Sequence, residues 1–391
     1  MNYISVRAIM IAGKPRRWFI TALVVLLIGI LCLLALVRLL TPSWPTYGEK
    51  GIGEWFEIAV MRPSQGWSRS STRAFEEMGA EAVPFLARWA NARFTPFHEI
   101  YASVCPRLPD WLRRVLPRPR TYTYFHDRQV RALILLREIA AAQRRKSGNG
   151  KDMASLILPA IQTALRDPSS EVRKWAAEAV VSLGSQAAAI IPDLLKLTQD
   201  TNDGPASSAM SALGSMGCVA SNAVPVLIRN AANATGTRRL FAVQSLGEIG
   251  RPAQSAVPVL VSVLLSDDSS MPPNLGGGEE LRVKAARALA EIGITPEEAV
   301  PTLIAMTRGT NQWARWFASV ALWNRARQNP ILQAQVIEGL RSTNRIGVMI
   351  SLGCLGSNAA AFVPEICRLT NDSFSGHTAR RILQRIQPNL P

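Results

Sequence analysis

A chain of 391 residues has room for two or three ordinary domains, or for one extended array grown by repetition. Only 7% of the residues are aromatic and 18% charged while alanine and leucine abound, which disfavours a β-rich fold and points to helices packed through small side chains. The formal net charge of +16 leaves nucleic acid, anionic lipid and acidic protein open as partners, so the location of the charge matters more than its sum.

Residues 1–41 hold Arg7, Lys14, Arg16, Arg17 and Arg38 and no acid. Within them WFITALVVLLIGILCLLALV, Trp18 to Val37, runs twenty residues without a charge, enough at the α-helical rise to cross the ~30 Å hydrocarbon core of a bilayer. The sequence predicts a basic leader at 1–17, one transmembrane signal anchor at 18–40 and a linker at 41–68. A cleaved signal peptide would carry a shorter apolar run closed by small residues, and VRLLTPSW has no such site. Four basic residues precede the span, whereas Arg38 and Lys50 are the two in the twenty residues after it. That asymmetry predicts a cytoplasmic N-terminus and a chain body on the far side, periplasmic or otherwise extracytoplasmic.

From residue 69 onward the chain reads as helix pairs, the first of them in TRAFEEMGAEAVPFLARWA with Gly79 and Pro84. It is interrupted by residues 95–127, rich in proline, arginine and aromatic residues, inside a stretch, 88–146, that holds thirteen basic residues against four acidic ones. Arg107, Arg113, Arg114, Arg118 and Arg120 with Trp111, Tyr122 and Tyr124 have the chemistry of an anion-binding patch with stacking groups, suited to a single-stranded nucleic acid or an anionic lipid. The same residues also describe an amphipathic cover, PDWLRRVLP, with its arginines solvated. VRALILLREIA with Arg131 then resumes the pattern.

The remainder repeats in a fixed phase. Glycines stand at Gly184, Gly217, Gly250, Gly293 and Gly356, with Ala326 in the same slot between the last two. Eight residues after each glycine comes a proline: Pro192, Pro225, Pro258, Pro301 and Pro364. Eleven before the slot stand Arg173, Arg239, Arg282, Arg315 and Arg345, with Ala206 the exception, and eight before it an alanine recurs at Ala176, Ala209, Ala242, Ala285 and Ala318. A period of this length signals a solenoid whose units bury their apolar faces only by stacking. The proline opens the first helix of a pair, Asp167 and Pro168 read as the cap and first turn of a second helix, and the glycine ends that helix and turns the chain into the next pair. A second insertion, 266–280, falls between the two helices of one pair; Asp267 and Asp268 within it lack the spacing of a calcium loop, and a solvated loop is expected. The tail FSGHTARRILQRIQP reads as a more polar capping helix.

Cys32, Cys105, Cys218, Cys354 and Cys367 have no metal-ligand spacing and read as small buried thiols. His98, His126 and His377 are far apart, and no metalloprotease, nucleophile-elbow or phosphate-loop motif occurs, so no catalytic residue, metal or cofactor is expected. The once-per-repeat arginines would form a ladder, serving either polar contacts between repeats or an acidic partner in a groove.

The arrangement of Pro192 with DLLKL, and of EVRKWAAEAVVSLG, resembles HEAT repeats, over residues 69 to about 388. The resemblance implies an all-α fold, a right-handed α-α superhelical solenoid of about seven HEAT-like helix pairs behind the transmembrane helix. It implies that the arginines hold inter-repeat contacts, and that the chain is a membrane-anchored, non-catalytic scaffold binding another protein. Two alternatives stay open: a HEAT-like enzyme or accessory of the bilin-lyase or DNA-glycosylase kind, and a binder of nucleic acid or another anionic polymer through the basic insertion.

Overall fold

The computed structural model describes residues 45–61, 69–147, 151–266 and 277–326, together with Val363, Cys367 and Leu383. The expected leader and anchor, Asp267 and Asp268, Arg345, Gly356 and Pro364 lie outside the described residues.

The chain enters through a two-stranded antiparallel hairpin, β1 (Thr46–Tyr47) and β2 (Lys50–Gly51), and runs directly into helix α1, Ile52–Met61. Helix α2, Arg69–Met78, and α3, Val83–Ala90, follow. The expectation of a linker over 41–68 is corrected here for its described part. Ile52, Phe56 and Ala59 recur on one face of α1 and are buried, and the Phe56 ring packs against Trp89, stacked at 5.6 Å, and against Phe85 at 5.5 Å. The segment is an apolar lid on the first repeat, not a spacer.

The insertion forms two short helices, α4 (Pro96–Val104) and α5 (Asp110–Val115), with no buried residue in either. Its boundary moves: the long helix α6, Tyr122–Ser147, begins before residue 127, so Tyr122 and Tyr124 belong to a repeat helix and not to the inserted loop.

Six helix pairs stand in file among the described residues. The first helices, which we term A, are α3, α7 (Lys151–Ala164), α9 (Ile191–Leu197), α11 (Val224–Asn233), α13 (Val257–Leu265) and α15 (Val300–Thr307). The second, or B, helices are α6, α8 (Ser170–Leu183), α10 (Asp203–Ser215), α12 (Gly236–Ile249), α14 (Gly277–Ile292) and α16 (Gln312–Ala326). Each B helix packs on the B helices before and after it, and the A helices form the second layer. The apolar stretch 170–197, long enough by composition to cross a membrane, is a B helix, a turn and an A helix, half buried in this stack.

Five of the six A helices open on the same proline. Pro84, Pro192, Pro225, Pro258 and Pro301 fall in the first turn of their A helices, where no backbone donor is missed. Pro159 does not follow: it lies inside α7. The slot glycines have positive φ, 56° at Gly184 and 77° at Gly250, with ψ of −136° and −140°. This is the mirror image of extended backbone, strongly disfavoured for any residue with a Cβ, and it is more restrictive than a left-handed helical cap. Three residues later Ala187, Ala220 and Ala253 adopt nearly identical non-helical angles, (−89°, 18°), (−90°, 23°) and (−87°, 19°), and all are fully buried. The cap assigned to Asp167 is likewise corrected: Ser169 precedes α8, and Asp167 Oδ1 accepts the Ser169 N–H at 2.9 Å while Gln129 donates to its other oxygen.

Alanines eight before the slot, Ala176, Ala209, Ala242, Ala285 and Ala318, have no exposed surface, as helices in close contact require. A tighter contact lies three before the slot. A Cβ built on Gly214 would stand 2.9 Å from the Ser245 Cα of the next B helix, and one on Gly247 would stand 2.7 Å from the Ala288 Cα. Of the cysteines, Cys105 is buried as expected, whereas Cys218 and Cys367 are exposed.

Because the obstacle at Gly247 is backbone, it cannot swing aside. Gly247→Ala is expected to destabilise the fold by about 1–3 kcal/mol, the cost of overpacking, read by chemical denaturation; Gly51→Ala, with open space around it, should change stability by far less.

A groove along the second helices and the basic insertion

The inserted patch is dispersed by its own neighbours. Arg113 pairs with Asp110 one turn away. Tyr124 already holds two guanidinium groups against its ring, Arg120 at 4.7 Å and Arg128 at 3.5 Å, and packs edge-on to Trp89 at 6.3 Å. Arg128 in turn pairs with Glu57 of α1. Tyr122 stacks on His126 at 5.7 Å and meets Phe94 at 6.2 Å. Tyr124 is therefore engaged within the protein, while Tyr122, 53% exposed, and Trp111, 67% exposed, keep open faces. The two described histidines are also engaged: the His98 Nδ1 accepts the Thr95 N–H at the start of α4, and His126 Nε2 stands 3.2 Å from the Ser169 hydroxyl.

The arginine series runs along the starts of the B helices and bonds to the loops between A and B. Arg173 forks onto Asp200, Nε to Oδ2 at 2.7 Å and Nη2 to Oδ1 at 3.0 Å, and its Nη1 donates to the Asp167 and Pro168 carbonyls. One side chain thus ties the loop before α8 to the loop before α10. Arg239 donates to the Ala231 carbonyl at the end of α11, and Arg315 to the Gly309 carbonyl. Arg282 occupies the same register in α14. Burial pushes the Asp200 carboxyl up, but the hydrogen bonds and charge of Arg173, with the Asn202 N–H, outweigh it and hold the group below the ordinary carboxylate value.

A different surface emerges where the C-terminal halves of α10, α12 and α14 lie beside the first turns of α16. They enclose a groove of about 750 Å³ whose floor is glycine, Gly214 and Gly247 among it, and whose far wall is Trp313, Trp316 and Phe317. The rings form one continuous face, Trp316 stacked on Phe317 at 4.3 Å and Trp313 at 5.4 Å from Trp316. Trp316 is only 8% exposed, and its indole N–H finds no acceptor among the described residues.

Two carboxylates stand over the glycines. Glu248 reaches across to Gly214, and Glu291 to Gly247, so closely that a Cβ on either glycine would meet the carboxylate oxygen at 2.5 or 2.6 Å. Glu248 accepts from Gln244 at 2.8 Å, and Glu291 from the Arg287 Nε at 2.8 Å, while the Arg287 guanidinium lies 5.7 Å from the Phe317 ring. Both acids occupy the last turn of a helix that has no base there, the end at which the helix dipole opposes a negative charge. Burial between α12 and α14 pushes the Glu291 carboxyl up; Arg287 and, more weakly, Lys284 pull it down, and the nearby Glu248 adds to the rise. A third of the Glu291 side chain stays open to the groove. The sequence reading missed this site because each of its marks, Gly214 and Gly247 on one hand and Glu248 and Glu291 on the other, recurs in only two repeats.

Comparison with known proteins agrees with the repeat architecture. Residues 157–187 match the HEAT repeat family, and residues 281–308 match the PBS lyase HEAT-like repeat. The first segment runs from an A helix through a B helix and the second from a B helix through an A helix. The described residues thus form an α-helical solenoid, two segments of which match HEAT-type repeats. No curated protein matches it. Among solved structures it is similar to an engineered protein, at 22% identity and a TM-score of 0.34 over 58% of this chain and 95% of that one. It is similar also to the complex of CpcE and CpcF of phycocyanin lyase from a Nostoc species, at 17% identity and 0.36 over 77% and 96%. A third similarity is to YibA of Escherichia coli, at 13% identity and 0.37 over 75% and 98%.

Two outcomes follow. Arg173→Ala should cost about 1.5–3 kcal/mol at neutral pH, the worth of hydrogen bonds to a charged group. Because the folded Asp200 is held below its unfolded value, that difference should be present above the ordinary carboxylate range and vanish as pH falls through the folded value, a trend measurable by denaturation at several pH values. Glu291→Gln should do the reverse. A carboxyl held high in the fold weakens the native state as pH rises, so the variant should unfold at higher temperature than the parent at neutral pH, with the gap closing in acid.

Proposed function

We propose that this protein is a membrane-anchored, non-catalytic scaffold that holds a partner protein in the groove along its B helices. The observation that carries the reading is the groove: four successive repeats contribute to one glycine-floored, aromatic-walled channel. Its volume lies in the range of cavities that accept a ligand or a few side chains. Stacked repeats present extended surfaces of this kind, and their function is to bind. The insertion contributes less to this reading than the sequence alone led one to expect, because Tyr122 and Tyr124 belong to a repeat helix and Tyr124 is engaged by Arg120, Arg128 and Trp89.

The anchor belongs to the same proposal. The uncharged run at 18–37 tethers the chain, the basic leader stays cytoplasmic, and the solenoid works on the extracytoplasmic side. The hairpin and α1 then close the end of the solenoid nearest the bilayer, with the arginine-rich insertion beside it.

A photoreactive residue in place of Val320, in the groove wall, should capture a partner in cells, whereas one in place of Leu156, exposed on the A-helix side, should not. Capture from Leu156 alone would place docking on the other layer and overturn the reading. A periplasm-dependent reporter fused at the C-terminus should be active; activity of a cytoplasm-dependent one would reverse the topology.

A further inference from the structure

We propose that the groove receives a lysine or arginine side chain presented by an extended segment of the partner, with Glu248 and Glu291 taking the charge and Trp313, Trp316 and Phe317 the aliphatic stem and cation face. The proposal rests on the groove being the docking surface, and it adds the chemistry of what docks.

The sign of the groove argues for it. The protein carries a net charge of +16, so an undirected attraction would draw acidic partners to it. The groove is the opposite. It gathers Glu248, Glu291 and the carbonyl ends of α10, α12 and α14 against one cation, Arg287. Those glutamates sit at helix C-termini and above glycines that have no side chain to support them. The helix dipole opposes both placements, and among the described residues only Glu291 has a cation, Arg287, beside it, whereas a bound cation would serve both.

The aromatic wall argues for the same ligand. A stacked pair 4.3 Å apart, with Trp313 48% exposed beside it, offers π faces next to carboxylates, the combination that attracts a guanidinium or an ammonium. Arg287 already shows the mode internally, bonded to Glu291 while it faces Phe317. The shielded Trp316 N–H, without an acceptor among the described residues, would need one from the ligand or from a shift of the wall. An extended segment has free backbone carbonyls to give, whereas a helix has used its own. The segment is therefore expected to be extended and basic.

The test uses the full chain in detergent and three labelled, capped peptides in which glycine alternates with arginine, with lysine or with glutamate, followed by fluorescence anisotropy at physiological ionic strength. The arginine and lysine peptides should bind and the glutamate peptide should not. The double variant Glu248→Gln/Glu291→Gln should weaken arginine-peptide binding by about tenfold or more, as loss of close charge partners does. Trp313→Ala should weaken it too, and Arg113→Ala should leave it unchanged. Circular dichroism and thermal unfolding confirm that each variant is folded; should the double variant fail to fold, Glu248→Gln alone carries the charge test. Preference for the glutamate peptide, or equal binding of the arginine peptide by parent and glutamine variants, overturns the proposal. If the arginine peptide fails while Val320 still captures a partner, the docking surface stands and the charge assignment falls; if both fail, both fall.

Discussion

The structure depends on how closely one B helix can approach the next. Neighbouring second helices meet at residues with almost no side chain: the buried alanines eight before each corner, and Gly214 and Gly247 against Ser245 and Ala288. Dispersion over such a contact falls away within an ångström, so a single added methyl group at the closest point is felt by backbone on both sides. The glycine corner serves the same contact. Only its unusual backbone angles return the chain quickly enough for the following A helix to seat beside its own B helix, and the buried alanine three residues on fixes the angle of return.

The same closeness creates the groove. Where two helices touch through glycine, the space above the glycine is open, and the longer side chain of the following helix leans into it. Glu248 and Glu291 lean in this way, and the aromatic residues of α16 complete the wall. Packing and binding surface thus have one origin. The arginines at the opposite ends of the B helices act elsewhere: Arg173 and Arg239 hold the loops and are spent on Asp200 and on backbone carbonyls.

What the sequence revealed and what it hid divide along physical lines. Gly184, Gly217, Gly250 and Gly293 and the prolines after them were legible because each corner needs the same backbone, and only one residue type can supply it. The groove was not, because its floor and acids appear in two repeats and give way to other residues in the next. Helix α1 was hidden by its length and by its place after an apolar run, where a spacer is the simpler reading; its burial depends on Trp89 and Phe85, which are distant in sequence. Tyr122 and Tyr124 looked like part of a loop because tyrosine and threonine alternate there, yet Phe125 and Arg128 on the same helix draw that turn into the packed layer.

The three corners at Ala187, Ala220 and Ala253 differ by only a few degrees. Equal joints make equal steps, so each unit in this stretch is rotated on its predecessor by nearly the same amount. Such a middle section is modular: a duplicated unit of 33 residues would meet the same faces above and below as the one it copied. The array could lengthen over evolution by whole units without redesign, while the aromatic seal at its first repeat and the tryptophan wall of α16 stay as they are.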